Sequence, residues 1–169
     1  WGADADDLLP LGKSIIANSC LEFQLVSLKA PNFRPNDMGR QWYSLFPPDW
    51  NEAEIAVDKL VDTLKVFDKT KISLKKTVLL GFSQGGAMAL DAGLKLDLGL
   101  VISCSGYAHP KWDPIKTNPV LLSHGLQDEV VPIKASREIS ARLANEINTN
   151  KELHEYNCSH TIHPDFIEV

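Results

Sequence analysis

Apolar and polar positions along the chain alternate between two periods. Over residues 6 to 18, Leu8, Leu9, Leu11, Ile15 and Ile16 share one broad face, the spacing of a helix. Pro10 is tolerable only in a first turn, which sets the start near Asp7. Glu22-Phe23-Gln24-Leu25-Val26-Ser27-Leu28 is a short β-prone run closed by Ala30-Pro31. Residues 31 to 50 follow neither period and are rich in Pro, Asn, Gly and aromatics (Phe33, Trp42, Tyr43, Phe46, Trp50). Long loops inside compact domains are functional or disordered, and this aromatic content argues against disorder. Residues 51 to 68 predict the clearest helix, with Ala53, Val57, Leu60, Val61, Leu64 and Phe67 on one face and Glu52 and Glu54 in the first turn. Thr77 to Leu80 predicts a strand, followed at once by a small-residue helix from Gln84 to about Lys95. Leu98 to Cys104 is apolar almost without break and reads as a strand buried on both faces. After a second irregular loop (105 to 118) come a buried strand at Val120 to Ser123 and an amphipathic helix from Ile133 to Ile147. A last strand at Glu152 to Tyr156 and a helix opening at Pro164 to Val169 close the chain.

Strands that alternate with helices predict an α/β fold: a mostly parallel central sheet with helices on both faces. In such sheets the active site gathers beyond the C-terminal ends of the strands. At 169 residues, without internal repeat or linker, one domain is expected. Apolar residues at 44% and charged residues at 23% give the balance of a globular protein. The net charge of −5 argues against nucleic acid or an anionic membrane as main partner, and the four lysines between Lys69 and Lys76 read as a solvated edge. Cys20, Cys104 and Cys158 are odd in number and lack metal spacing, so a reducing, cytoplasmic setting is expected, with Cys104 a buried small hydrophobe. No stretch approaches the roughly 20 apolar residues that span a bilayer, no signal peptide is visible, and stable membrane insertion is not expected.

The strand-to-helix corner carries the candidate chemistry. Gly81-Phe82-Ser83-Gln84-Gly85 is a G-x-S-x-G frame with Ser83 at its apex. Glycine is expected at both flanks because a Cβ there would collide with the strand or the helix. The Gln84 amide, at a helix N-terminus, faces whatever Ser83 attacks. A serine needs a base and a carboxylate to orient that base, and in open α/β sheets the chain order is Ser, acid, His. Asp128 follows a buried strand in Ser123-His124-Gly125-Leu126-Gln127-Asp128-Glu129-Val130-Val131-Pro132. Glu129 is the neighbouring alternative, expected to point elsewhere, and a solvated turn capping the next helix is the non-catalytic alternative. His124 ends a buried strand and reads as structural. In Cys158-Ser159-His160-Thr161-Ile162-His163-Pro164 both His160 and His163 are candidate bases, with position favouring His160; His109 and His154 read as surface histidines.

Taken together, Gly81-Phe82-Ser83-Gln84-Gly85-Gly86, His124-Gly125-x-x-Asp128-x-Val130-Val131-Pro132 and His160 before a helix resemble the phospholipase/carboxylesterase family of α/β hydrolases over essentially the whole chain. This group includes acyl-protein thioesterases and small bacterial carboxylesterases. The resemblance implies a single α/β-hydrolase domain over 1–169 that hydrolyses esters or thioesters through an acyl-enzyme, with no metal or cofactor. It implies Ser83 as nucleophile, Asp128 as orienting acid and His160, rather than His163, as base. It also implies Gln84 and Trp1 as oxyanion donors. Gln41-Trp42-Tyr43 resembles the family's segment beside the acyl pocket, so Trp42, Tyr43 and Phe46, with Trp50, are expected to line it, a structural cluster being the alternative. The implied partners are a small-molecule, lipid or acylated ester and, weakly, a second copy of the chain. The family's His-Gly pair before the second oxyanion donor, with its strand, is absent, and the last helix is cut at Val169. A chain trimmed at both ends, with a free amine at Trp1 and weakened activity, is therefore expected. The rival from another class is a non-catalytic binding protein on the same fold. A dienelactone-hydrolase-like enzyme is disfavoured by serine rather than cysteine at the corner, and a peptidase by the lack of room for a large lid domain.

Overall fold

The computed structural model describes residues 1–34, 39–70, 73–146 and 149–168, so Lys71, Ile147 and Val169 lie outside the described residues. Helix α1 (Leu9–Asn18) starts two residues later than expected and keeps Pro10 in its first turn. The run 22–28 is not a strand, which corrects the β expectation. No strand pairs with it among the described residues, and Leu21, Phe23, Leu25 and Val26 are exposed. Pairing is a non-local event, so β propensity by itself does not make a strand. The following segment, expected to be irregular, holds a small antiparallel pair, β1 (Asn32–Phe33) with β2 (Arg40–Gln41).

Helix α2 (Trp50–Lys69) begins where Asp49 accepts the Glu52 amide, and Ala53, Ala56, Val57, Leu60, Val61 and Leu64 form its buried face. The Glu52 carboxylate accepts the Ser44 amide at 2.7 Å and the Asn32 side-chain amide at 2.6 Å, which ties the aromatic loop to the helix start.

The strands and α-helices that follow are β3 (Val78–Phe82), α3 (Gln84–Gly93), β4 (Leu100–Cys104), β5 (Val120–Gly125), α4 (Lys134–Glu146) and β6 (Lys151–Tyr156). The four strands form one parallel sheet in the order β3-β4-β5-β6. Phe82 pairs with Cys104, Cys104 with Ser123, and Gly125 with Tyr156, so the loops after β3, β5 and β6 open along one edge. β5 runs two residues further than expected and carries His124 within the sheet.

One face of the sheet packs against α2, α3 and α4 through Val57, Leu60, Leu90, Leu94, Val101, Leu122, Ile139 and Leu143. Fully burying an aliphatic side chain of this size contributes about 2 kcal/mol. On the other face Ile102 and Cys104 lie under Phe166 of the short 3-10 turn Pro164–Glu168, with α1 against that turn. Burial pushes the Cys104 thiol up to about 12, in keeping with an inert core residue.

Candidate active site

Ser83 occupies the corner between β3 and α3 with φ 54° and ψ −119°, a conformation that non-glycine residues rarely adopt. Its amide donates to the Cys104 carbonyl at 2.9 Å, and its carbonyl accepts the Ala87 amide at 3.1 Å. A Cβ on Gly81 would lie 1.9 Å from the Gly85 carbonyl oxygen, so that glycine is required. A Cβ on Gly85 would meet nothing within 4 Å, which corrects the expectation of two sterically required flanks. The second close approach is one residue on, where a Cβ on Gly86 would lie 2.8 Å from Ser103 Oγ.

Asp128, in the loop after β5, is buried. Its Oδ1 accepts the amides of Val130 and Val131 at 3.0 and 2.8 Å, and its Oδ2 accepts His160 Nδ1 at 2.7 Å. Burial works to raise its pKa, but the hydrogen bonds from His160 and the Val131 amide outweigh it and hold the carboxyl below the usual value. A carboxylate only accepts, so His160 carries its proton on Nδ1 and turns a lone pair on Nε2 outward. That Nε2 lies 3.0 Å from Ser83 Oγ. The imidazole also rests against Phe82, ring centroids 4.7 Å apart.

Glu129 is exposed. His163 stacks on Tyr156 at 4.7 Å, with its Nδ1 3.7 Å from the Asp165 carboxylate. His124 is buried: its Nε2 donates to the Val131 carbonyl at 2.7 Å, which leaves Nδ1 to accept the Ser136 hydroxyl at 2.6 Å. The ring thus braces the Asp128 loop from α4, with Nε2 3.3 Å from Asp128 Oδ2.

Gln84 opens α3, where the first amides of a helix have no partner within it. Its side chain is fully buried; Oε1 accepts the Trp42 amide at 3.0 Å and Nε2 donates to the Tyr43 carbonyl at 2.9 Å. Trp1 is 42% exposed, lies edge-on to Phe46 at 5.2 Å and has the Arg34 guanidinium 3.3 Å over its ring. Its amine has a lowered pKa, from burial first and then Arg34. Residues 2 and 3 bond to Arg40 of β2, two residues from the Trp42 amide that Gln84 holds.

The aromatic candidates divide. Trp42 is half-buried and Phe46 is 77% exposed, so both keep surface for a ligand. Tyr43 does not: it is fully buried, its hydroxyl 2.6 Å from the Tyr107 hydroxyl and 2.9 Å from His109 Nε2. It is a core residue rather than a pocket wall. Trp50 lies half-buried against Tyr43 and His109. An open cleft of about 620 Å³ is lined by Phe46, Pro47, Pro48 and Trp50 and by none of Ser83, Asp128 and His160.

His109 is likewise buried, not on the surface as expected, and its Nδ1 meets Asp91 Oδ2 at 2.8 Å. A signal for this pair was present in the sequence: Asp91 is a lone acid within the apolar helix run Ala87-Met88-Ala89-Leu90-Asp91-Ala92, and a buried acid demands a partner. Among the described residues no group of three or more His, Cys, Asp or Glu side chains is placed to hold a metal, and no helix is long and apolar enough to cross a membrane.

The family model for phospholipase/carboxylesterase matches residues 12–169. Acyl-protein thioesterase 1 of Emericella nidulans is 37% identical over 87 residues, which cover 45% of this chain and 36% of that protein. Acyl-protein thioesterase 1 of Kluyveromyces lactis is 29% identical over 128 residues, covering 62% of this chain and 55% of that protein. The chain thus spans about a third to a half of the curated relatives it matches. Among solved structures, esterase PE8 superimposes with a TM-score of 0.88 at 30% identity, covering 99% of this chain and 84% of that one. The Bacillus cereus carboxylesterase superimposes with a TM-score of 0.80 at 20% identity, over 99% of this chain and 80% of that one, a likeness of fold: the α/β-hydrolase fold.

Proposed function

Because the chain belongs to the phospholipase/carboxylesterase family, we propose that it is a serine hydrolase that cleaves carboxylic ester or thioester bonds through an acyl-enzyme on Ser83. The observation that carries this reading is the unbroken line from Asp128 Oδ2 through His160 to Ser83 Oγ, bonded at 2.7 and 3.0 Å.

His160 Nε2 takes the Ser83 proton as Oγ attacks the acyl carbon. The oxygen of the tetrahedral intermediate turns to the Gln84 amide, at the positive end of α3. The family resemblance assigns the second donor to Trp1. The imidazolium, stabilised by Asp128, then protonates the departing alcohol or thiol. In the second half-reaction His160 takes a proton from water, which attacks the acyl carbon, and the imidazolium returns that proton to Ser83 Oγ as the acid product leaves. Side chains and backbone amides suffice for each step. Trp42 and Phe46 offer the apolar surface for the acyl group, and the thioesterase relatives support a thioester as one substrate class.

The test is a serine-directed fluorophosphonate followed by peptide mapping, together with turnover of p-nitrophenyl acetate. The expected result is a single label on Ser83 and turnover, both lost in Ser83→Ala. A chain neither labelled at Ser83 nor active on short esters is instead the fold's non-catalytic binding variant.

A further inference from the structure

A second histidine line runs through the core and takes no part in the Ser83 chemistry. His109 Nδ1 lies 2.8 Å from Asp91 Oδ2 on α3, and His109 Nε2 lies 2.9 Å from the hydroxyl of Tyr43, itself 2.6 Å from the hydroxyl of Tyr107. Burial raises the pKa of both tyrosines, so both remain phenols. The hydrogens then have one consistent arrangement for a neutral imidazole. Nδ1–H donates to the Asp91 carboxylate, Nε2 accepts from the Tyr43 hydroxyl, and the Tyr43 oxygen accepts from Tyr107. With both nitrogens occupied and its side chain only 5% exposed, His109 has no open position for a substrate.

This line grips the same residues as the Gln84 side chain. Gln84 bonds to the backbone of Trp42 and Tyr43 at 3.0 and 2.9 Å, while His109 and Tyr107 hold the Tyr43 side chain from the far end. The segment is therefore fixed at backbone and at ring tip, and both anchors lead back to α3, through Gln84 at its first residue and Asp91 two turns on.

We propose that the Asp91–His109–Tyr43 line is a positioning device that locks residues 41–43 across the start of α3, so that Trp42 stands as a fixed wall of the acyl site beside Ser83. His109 is a positioning residue and not a second base. The role rests on the hydrolase reading above, but the lock itself is a property of the fold.

The test compares Tyr43→Phe, His109→Gln and His109→Asn with the unaltered chain by amide hydrogen exchange and by ester chain length. Tyr43→Phe keeps the ring and removes only the hydroxyl. It is expected to speed exchange of the Trp42 amide about tenfold and to raise KM for p-nitrophenyl octanoate about tenfold, with kcat on the acetate within about threefold. A Gln at position 109 carries an oxygen where Nε2 lies and can still accept the Tyr43 hydroxyl but loses the bond to Asp91, so His109→Gln raises the octanoate KM less than Tyr43→Phe does. His109→Asn reaches only the Nδ1 position and behaves like Tyr43→Phe. A purely structural role lowers the melting temperature and leaves the chain-length profile flat. Unchanged Trp42 exchange in Tyr43→Phe, or equal losses on acetate and octanoate, overturns the proposal. Fluorophosphonate labelling in parallel separates the two failures. A labelled, active chain with a flat profile overturns the lock alone, whereas an unaltered chain that takes no label overturns the hydrolase reading and the acyl-wall role with it.

Discussion

His160 Nδ1 and Asp128 Oδ2 lie 2.7 Å apart, while the other carboxylate oxygen is occupied by the amides of Val130 and Val131. The acid is thus fixed on one side by the chain and offers a single oxygen to the imidazole. Asp128→Asn places an amide group there, which donates to Nδ1 and leaves Nε2–H facing Ser83. The base is then blocked in the wrong tautomer. The expected result is a fall of about 10⁴ in kcat on a p-nitrophenyl ester with an unchanged circular dichroism spectrum.

The same bonds link stability to pH. Asp128 has a folded pKa lowered from its ordinary 3.8. A depressed carboxylate contributes stability that is present above its unfolded value and is lost as pH falls through the folded value. The gap between the urea midpoints of the unaltered chain and of Asp128→Asn is therefore expected to shrink as pH falls from about 5 through the folded value. A gap that widens on acidification below about pH 5 contradicts this.

Gly81 and Gly85 flank Ser83 alike in sequence and differ in space. A Cβ at Gly81 would strike the Gly85 carbonyl at 1.9 Å, whereas one at Gly85 meets open space. Gly81→Ala is expected to destabilise by about 3 kcal/mol or more, because backbone must move. Gly85→Ala, within α3, is expected to stabilise by about 0.5–1 kcal/mol. Thermal unfolding of the two variants checks the pair.

Ser83 itself sits at φ 54° and ψ −119°. Strain of this kind costs about 1–3 kcal/mol and is relieved by glycine but not by alanine. Ser83→Gly is expected to melt higher than Ser83→Ala while both lack activity, and equal melting temperatures would count against strain at the corner.

How far the sequence reaches depends on the range of the interaction concerned. The corner at Gly81–Gly86 and the helix at Trp50–Lys69 are local patterns, and both were legible. So was the placing of Asp128 and His160 at strand ends, because a parallel sheet aligns those ends whatever the loops do. The strand expected at 22–28 failed because a strand exists only beside a partner. Tyr43 and His109 were misplaced for the same reason: their burial depends on each other across 66 positions and on Asp91, and nothing local to either residue records it. Gly85 fits the G-x-S-x-G frame, yet only the course of α3 shows that the space beside it is empty.

The central claim, a covalent acyl group on Ser83, is tested most directly by trapping it. The chain is mixed with p-nitrophenyl butyrate, quenched in acid within the first turnover, and its intact mass and peptides are measured. The expected result is one added butyryl group, located on Ser83 and absent from Ser83→Ala and from His160→Gln. Ester turnover that persists in Ser83→Ala, or an acyl group found on another residue, would contradict it.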